Sequence, residues 1–246
     1  MKTRKGRAMQ TAFTVRRKTL IIDLGGLRSV LSSAPRAGGI TRARYILNHQ
    51  VAAKPIDSVS ARCADPARTL STLANSLGIR ERFVGLMTSV LLRDLVTVRA
   101  ASDEIWVEGF VTVGTSNAVR AGEPVTPRQC IDGSAHPGTI NLILVTNARL
   151  SASAMVGMVQ VATEAKTAVL LRAKVKSWTG RPGATGTGTD AVVVVSGEGP
   201  PLRYSGTHTI LGELVGRVIE MAVTKGLARY VRWHARRTPR SRVRHP

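Results

Sequence analysis

Apolar and polar positions alternate with period two from Ile105 to Gly114. Ile105, Val107, Gly109, Val111 and Val113 fall on one side, and Trp106, Glu108, Phe110 and Thr112 on the other, which predicts a strand. Thr139 to Thr146 is almost continuously apolar and predicts a strand buried on both faces. Ala191 to Val195 is short and β-branched, a third strand. Thr19 to Leu24 is a fourth, ended by Gly25-Gly26. The helical period appears elsewhere. Asp65-Pro66 followed by a periodic run to Leu77 and then Gly78 carries an acidic cap, a proline at the first position and a terminal glycine. Ser151 or Ser153 opens a long apolar helix reaching about Leu171. A last helix runs from about Thr209 to Trp233, with Leu211, Leu214, Val215, Val218, Ile219 and Ala222 on one stripe. Thr41 is read as the cap of a short helix through Ala43, Ile46 and Leu47, and Gly85 to Leu95 as a further helix. Val30 to Gly39 and Gly122 to Gly138 read as loops, the second with Pro124, Pro127 and Pro137. Strands interspersed with helices predict an α/β or α+β fold, a single mixed-sheet domain with long helices packed on it.

Composition agrees with a folded chain: 246 residues, 43% hydrophobic and 21% charged. Aromatic residues make up only 4%, so the core must rest on Val, Leu, Ile and Ala. The net charge of +21 resembles a nucleic-acid signature, but seven Lys/Arg without an acid fall in residues 1–18 and eight in 225–246. Removing those fifteen leaves +6 for residues 19–224. The expected organisation is a basic disordered arm at 1–18, a domain at 19–230 and a basic tail at 231–246. Solubilising ends are favoured over a polybasic contact with nucleic acid, because no aromatic-rich strand interleaves with the charges. Cys63 and Cys130 form no CxxC pair, which argues against a disulfide framework or a zinc site and makes a reducing cytoplasm the simplest compartment. The basic N-terminus lacks the apolar region of a secretory signal. Its lack of acids leaves a transit peptide open. No apolar run is read as a bilayer span.

The unusual polar chemistry is concentrated late in the chain. Glu164 and Lys166 interrupt an otherwise apolar helix. They lie about 200° apart around its axis, so one of them is expected to point inward. A buried charge is either a core ion pair or a group held in a pocket. The run from Ala184 through Gly186, Thr187 and Gly188 to Asp190 is a Gly/Thr loop before a strand. It is a turn capped by Asp190, or a loop whose N–H groups approach a ligand. It fits neither a phosphate-binding P-loop nor a dinucleotide fingerprint, since no helix follows it. His208 stands before the last helix, where the positive helix end favours a neutral imidazole fit to act as a base, although a lone histidine there is more often a cap. Glu213 lies four residues before Arg217, the spacing of an exposed ion pair. His49 is a weaker candidate beside Asn48, and His136, His234 and His245 have little context. Asn117 and Asn147 end two strands in similar Thr-x-Asn-Ala or Thr-Asn-Ala turns. No GxSxG elbow and no HExxH is present.

In order, Val30-Leu31-Ser32-Ser33-Ala34 with Gly38-Gly39, Asn48-His49, Gly85-Leu86-Met87-Thr88, Thr115-Ser116-Asn117-Ala118, Gly138-Thr139-Ile140-Asn141, Thr146 to Ser151, Glu164 to Thr167, Ala184 to Asp190 and Tyr204 to Leu214 resemble the adenosylcobinamide amidohydrolases of corrinoid salvage. The resemblance covers about residues 19–225. It implies hydrolysis of the amide joining the corrin ring's propionyl arm to aminopropanol, with a corrinoid substrate; no cofactor is expected, and no motif points to a required metal. Amide hydrolysis needs an activated water or nucleophile, donors for an oxyanion and a proton for the leaving amine. The expected catalytic residues are His208, Glu164, Lys166 and Asp190. His208 or Glu164 would activate water, Lys166 or His208 would donate the proton, and Asp190 would orient His208 or bind substrate. Ser33, Asn48, Asn117, Asn147, Thr187, Gly188 and Glu213 are the expected substrate-binding residues. Of these, Asn117, Asn147 or the 186–189 loop would face the oxyanion, and Ser33 or Thr187 leaves a covalent route open. The alternatives are a corrinoid-binding protein without chemistry and a nucleic-acid-binding protein acting through its basic ends.

Overall fold

The computed structural model describes residues 10–51, 65–124 and 138–237. The first nine residues, Cys63, Cys130, His136, His245, the tail beyond 237 and most of the Gly122–Gly138 loop lie outside them. The strands are β1 (Ala12–Arg16), β2 (Thr19–Ser32), β3 (Gly39–Gln50), β4 (Phe83–Thr88), β5 (Val96–Ser102), β6 (Ile105–Val113), β7 (Ala118–Val119), β8 (Ile140–Thr146), β9 (Arg149–Leu150), β10 (Gly186–Thr187), β11 (Ala191–Val195) and β12 (Pro201–Leu202). Among the described residues the helices are α1 (Pro66–Ser76), α2 (Ala152–Arg172) and α3 (Ile210–Arg237). Asp65 Oδ1 accepts from Ala67 N at 2.9 Å and Ser151 Oγ from Ala154 N at 3.1 Å, the two expected N-caps.

One mixed sheet has the order β4-β3-β2-β11-β8-β6-β5, with β1 added on β2. It folds over on itself, and the parity of each strand shows how. Leu20 and Ile22 of β2, Ile46 of β3 and Leu86 of β4 pack with Phe110 of β6, Ile143 and Val145 of β8, and Val193 and Val195 of β11. The intervening residues Leu142, Leu144 and Val194 face the other way, onto Met158 and Leu170 of α2 and Val215 and Ile219 of α3. On the far side, Ile21 and Leu47 meet Leu70 and Ala74 of α1. Three apolar interfaces therefore separate four layers: helix, sheet, sheet, helices. Each fully buried aliphatic side chain contributes about 1.5–3 kcal/mol to holding them.

The four strands expected at Thr19, Ile105, Thr139 and Ala191 are present, as are the three long helices, and the fold is α+β. Four local readings are corrected. Thr41–Leu47 is strand β3, not a helix: Ile46 and Leu47 are adjacent yet buried on opposite sheet faces, which only a strand permits. Gly85–Leu95 is the end of β4 followed by a 3-10 turn at Leu92–Asp94; the short apolar run had no period to separate strand from helix. Gly25-Gly26 does not end β2. The register shifts between Asp23 and Arg28, and Gly25 at φ +73° lets the strand bulge and run on to Ser32, so Val30–Ser32 is not loop. Residues 12–18 are not disordered: β1 pairs with β2 through a tight turn at Arg17-Lys18, both at positive φ. Asn and Gly usually occupy such a turn, which is why the hairpin left no signal.

Helix α2 is, by length and composition, long and apolar enough to cross a membrane, contrary to expectation. Its Ala154, Met155, Met158, Val161, Ala162, Val169 and Leu170 are instead buried in this core.

Candidate functional site

Alternation along β11 sends Ala191, Val193 and Val195 between the sheets, so Asp190 turns toward the helices. There it meets Lys166, which shares the inward face of α2 with Ala162 and Val169. Lys166 Nζ donates to Asp190 Oδ2 at 2.6 Å, and the two side chains are only 9% and 14% exposed. Of the two charges on α2, Lys166 is thus the inward one. Glu164 is exposed and accepts from Gln160 Nε2 at 3.3 Å.

Asp190 is saturated. Its Oδ1 accepts Ile140 N at 2.9 Å and the Thr187 hydroxyl; its Oδ2 accepts Lys166 and, at 3.1 Å, Thr187 N. A carboxylate taking four donors is a fixed point, and it orders the buried Thr187 hydroxyl and the Lys166 ammonium around itself. The ammonium has three N–H donors, and Asp190 is its one hydrogen-bond partner among the described residues. Gly186 is required by space: a Cβ there would lie 2.6 Å from Asp190 Oδ2 and 2.8 Å from Lys166 Nζ. Gly186→Ala is therefore expected to push the pair apart, lowering the melting temperature by an amount equivalent to about 1–3 kcal/mol and turnover by about tenfold or more. Thermal denaturation and an amide-hydrolysis assay check both.

The neighbouring wall is formed by the Ser116-Asn117 turn. A Cβ on Gly138 would lie 2.5 Å from Asn117 Oδ1, 2.7 Å from Ser116 Oγ and 2.8 Å from Ser116 N, so only glycine fits against this turn. Asn117 Oδ1 is buried with no hydrogen-bond partner among the described residues. Ser116 is bonded by the phenol of Tyr230 from α3, and burial pushes that phenol's pKa upward. Gly188 lies on the exposed loop between them.

Behind this wall runs a chain of buried polar groups. The Thr139 hydroxyl reaches Thr189 O at 2.8 Å and Asn141 Oδ1 at 3.1 Å. Asn141 Nδ2 donates to Asn48 Oδ1 at 3.0 Å and Met87 O at 2.8 Å, and Asn48 Nδ2 to Thr112 Oγ1 at 3.4 Å. Asn48, Thr112 and Asn141 are each at most 1% exposed, so Asn48 belongs to a sealed network linking the two sheets to the 187–190 loop. Ser33 lies at the same end of β11, its Oγ accepting from Val192 N at 3.1 Å. His49, beside Asn48, is half-buried, and burial lowers its pKa.

The other expected residues are elsewhere. Asn147 is at the opposite end of β8, about 20 Å from Asn141 by strand rise, bonding Trp106 N at 2.9 Å and Glu104 O at 2.7 Å. His208 is exposed before α3. The segment leading to it is anchored by Ser205 Oγ on Ala154 O at 2.7 Å, at the start of α2, twelve residues and about 18 Å along the axis from Lys166. Glu213 forms the expected ion pair with Arg217 at 2.5 Å. Glu164, Asp190 and His208 therefore do not share one hollow. A cleft of about 470 Å³ lies at the Asn147 end, lined by Asp23, Arg28, Trp106 and Glu198. Its charges are already matched, Arg28 with Glu198 and Asp23 with Arg44. Among the described residues no group of three His, Cys, Asp or Glu side chains is placed to hold a metal ion.

Thr139, Asn141, Ser116 and Tyr230 were not singled out from the sequence. A lone Asn inside an otherwise apolar, doubly buried strand was the available signal for Asn141, since a buried amide needs partners.

A sequence model of the adenosylcobinamide amidohydrolase family matches residues 2–235. The chain is 30% identical over 225 residues to an adenosylcobinamide amidohydrolase of Methanosarcina mazei, covering 87% of this chain and 96% of that one. It is 33% identical over 226 residues to an uncharacterized protein of Methanocaldococcus jannaschii, covering 85% and 86%. Among solved structures, the L-aminopeptidase D-Ala-esterase/amidase of Ochrobactrum anthropi aligns over 89% of this chain and 82% of its own, with 10% identity and a TM-score of 0.42.

Proposed function

The chain belongs to the adenosylcobinamide amidohydrolase family and is an amide hydrolase acting on C–N bonds, and we propose that it cleaves the amide joining the propionyl arm of adenosylcobinamide to aminopropanol. The products are adenosylcobyric acid and aminopropanol, and the reaction returns scavenged cobinamide to cobalamin synthesis. The observation that carries the reading is the buried chain from the Thr187 hydroxyl through Asp190 to the Lys166 ammonium.

In this reading Thr187 Oγ attacks the amide carbonyl carbon while its proton passes to Asp190 Oδ1, the atom it already faces. The oxyanion forms against the free N–H bonds of Lys166 and the Gly188 backbone. As the C–N bond breaks, the leaving amine takes a proton from Lys166, which is restored from Asp190 across the 2.6 Å contact. Water then attacks the Thr187 ester, protonates Thr187 Oγ through Asp190 and releases the carboxylic acid. Asp190 relays the proton and positions both partners.

The test is incubation of the full chain with adenosylcobinamide, reading aminopropanol and adenosylcobyric acid by mass spectrometry. Release by the parent and its loss in Thr187→Val, which keeps the shape but removes the hydroxyl, are expected. Unchanged release by Thr187→Val removes the covalent route. Binding of the corrinoid without any release by the parent leaves a corrinoid-binding protein.

A further inference from the structure

We propose that Trp178, held out to solvent on a pinned turn beside Thr187, is the platform on which the broad, largely apolar macrocycle of the substrate rests. The inference rests on the amidohydrolase reading and assigns the residue that grips the large, non-reacting part of the substrate.

Three observations converge. The first is position. Trp178 N donates to Ala118 O at 2.7 Å, and Ala118 is the register partner of Thr187 in the β7–β10 pair. Two neighbouring backbone spacings, about 10 Å, separate the indole's backbone from that of the proposed nucleophile. The second is rigidity. Residues 177–180 form a tight turn in which Gly180 N bonds Ser177 O at 2.8 Å, with Gly180 at φ +83°. Ser177 N bonds Arg181 O at 2.8 Å. Glu123 Oε1 takes the Ser177 and Thr179 hydroxyls at 3.1 and 2.5 Å; the Thr179 bond holds the Glu123 carboxyl below its usual range. The third is exposure. Ser177 is buried as the anchor, yet its neighbour Trp178 keeps 43% of its surface in water. A loose turn with an exposed Trp would be ordinary; a turn locked by a carboxylate so that an indole faces outward beside a buried polar site is a built surface.

The surroundings suit the same occupant. Lys174, Lys176 and Arg181, within four residues of Trp178 along the chain, are exposed and keep their N–H donors in water. A corrin carries carboxamide arms around a partly conjugated, largely apolar ring, so it offers a broad apolar surface to the indole and carbonyl acceptors to the cations. This remote contact is made equally in the bound substrate and in the transition state, so it tightens binding without changing the chemical step.

The experiment is steady-state hydrolysis of adenosylcobinamide by the parent, Trp178→Ala and Trp178→Phe, with melting temperatures of all three. Trp178→Ala is expected to raise KM by about tenfold, the scale of one lost aromatic stack, with kcat within about threefold. Trp178→Phe should recover most of the KM, a rescue that a merely structural role would not produce. A Trp178→Ala KM within twofold of the parent overturns the platform while the hydrolytic reading stands. If the parent releases no aminopropanol, that reading fails by itself. Equilibrium dialysis of the corrinoid, followed by its own visible absorbance, then decides the platform: weaker binding by Trp178→Ala supports it, and equal binding by parent and Trp178→Ala overturns it.

Discussion

Lys166→Met is expected to lower turnover of adenosylcobinamide by about a hundredfold or more. The methionine stem can fill the channel between Ala162 and Val169 of α2, so the change removes the ammonium and little else. Two functions go with it: the proton for the leaving amine, and donors for the oxyanion. Asp190 would keep three of its four hydrogen bonds, those from Ile140 N, Thr187 N and the Thr187 hydroxyl. Its negative charge would nevertheless stay 86% buried without a cation, so stability should fall by about 3 kcal/mol, the low end for breaking a buried pair. Asp190→Asn strands the ammonium instead and disorders Thr187, so it should be at least as damaging. The double variant should cost far less than the sum of the two, because each single change already disrupts the unit. The measurements are aminopropanol release and urea unfolding. A Lys166→Met enzyme turning over within threefold of the parent removes the ammonium from the reaction.

How much of this site could be read from the residues depended on whether the signal was local. The inward charge on α2 was legible, because helix geometry alone separates positions 164 and 166 and forces a choice between them. The Gly/Thr loop and Asp190 were legible for the same reason: turn chemistry is written in consecutive residues. The association of His208 with Asp190 was not, since it required knowing which end of α2 the 205–209 segment reaches. That is decided by Ser205 meeting Ala154, a pairing across 51 residues. The two asparagines after strands illustrate the same limit. Asn117 and Asn147 look alike in sequence, yet one lines the wall beside Gly138 and the other ties Trp106 and Glu104 at the far end of the sheet. The fold was readable in the helices and in the strands with a clear period or an unbroken apolar run. It failed where a strand carries a bulge, as at Gly25, or buries adjacent residues on both faces, as at Ile46 and Leu47. In β8 and β11 an unbroken apolar run stood in for a period, whereas the Ile46-Leu47 pair of β3 is short and flanked by polar residues, so neither signal was present.

Glu108→Ala is expected to destabilise the protein by about 3–5 kcal/mol and to leave the proposed chemistry at Thr187 untouched as long as the chain stays folded. Alternation along β6 places Glu108 opposite the Val107–Val111 face, where a half-exposed strand would show it to water. Because the sheet doubles over, that second face is also interior, and Glu108 is 0% exposed. It survives there because it is fully paired. The Arg99 guanidinium, on a side chain 4% exposed and stacked 4.9 Å over Trp106, donates from Nη1 to Oε1 at 3.1 Å. The N–H groups of Gln10 and Thr11 add bonds at 2.5 and 3.0 Å. The carboxylate thus ties β5 to β6 and anchors the chain just before β1, whose Phe13 ring meets Phe110 edge-on at 5.1 Å between centroids. Removing it takes away one partner of a buried guanidinium and the acceptor of two backbone donors. The loss should be seen as a lower urea midpoint and as faster proteolysis near residues 10–18 at temperatures where the core persists. Glu108→Gln separates the contributions: it keeps the shape and a hydrogen-bond acceptor but not the charge, so it should recover the β1 anchor better than the Arg99 pair. A Glu108→Ala protein unfolding within 1 kcal/mol of the parent would mean that the N-terminal strand is held by its ladder with β2 and the Phe13–Phe110 contact, without the carboxylate.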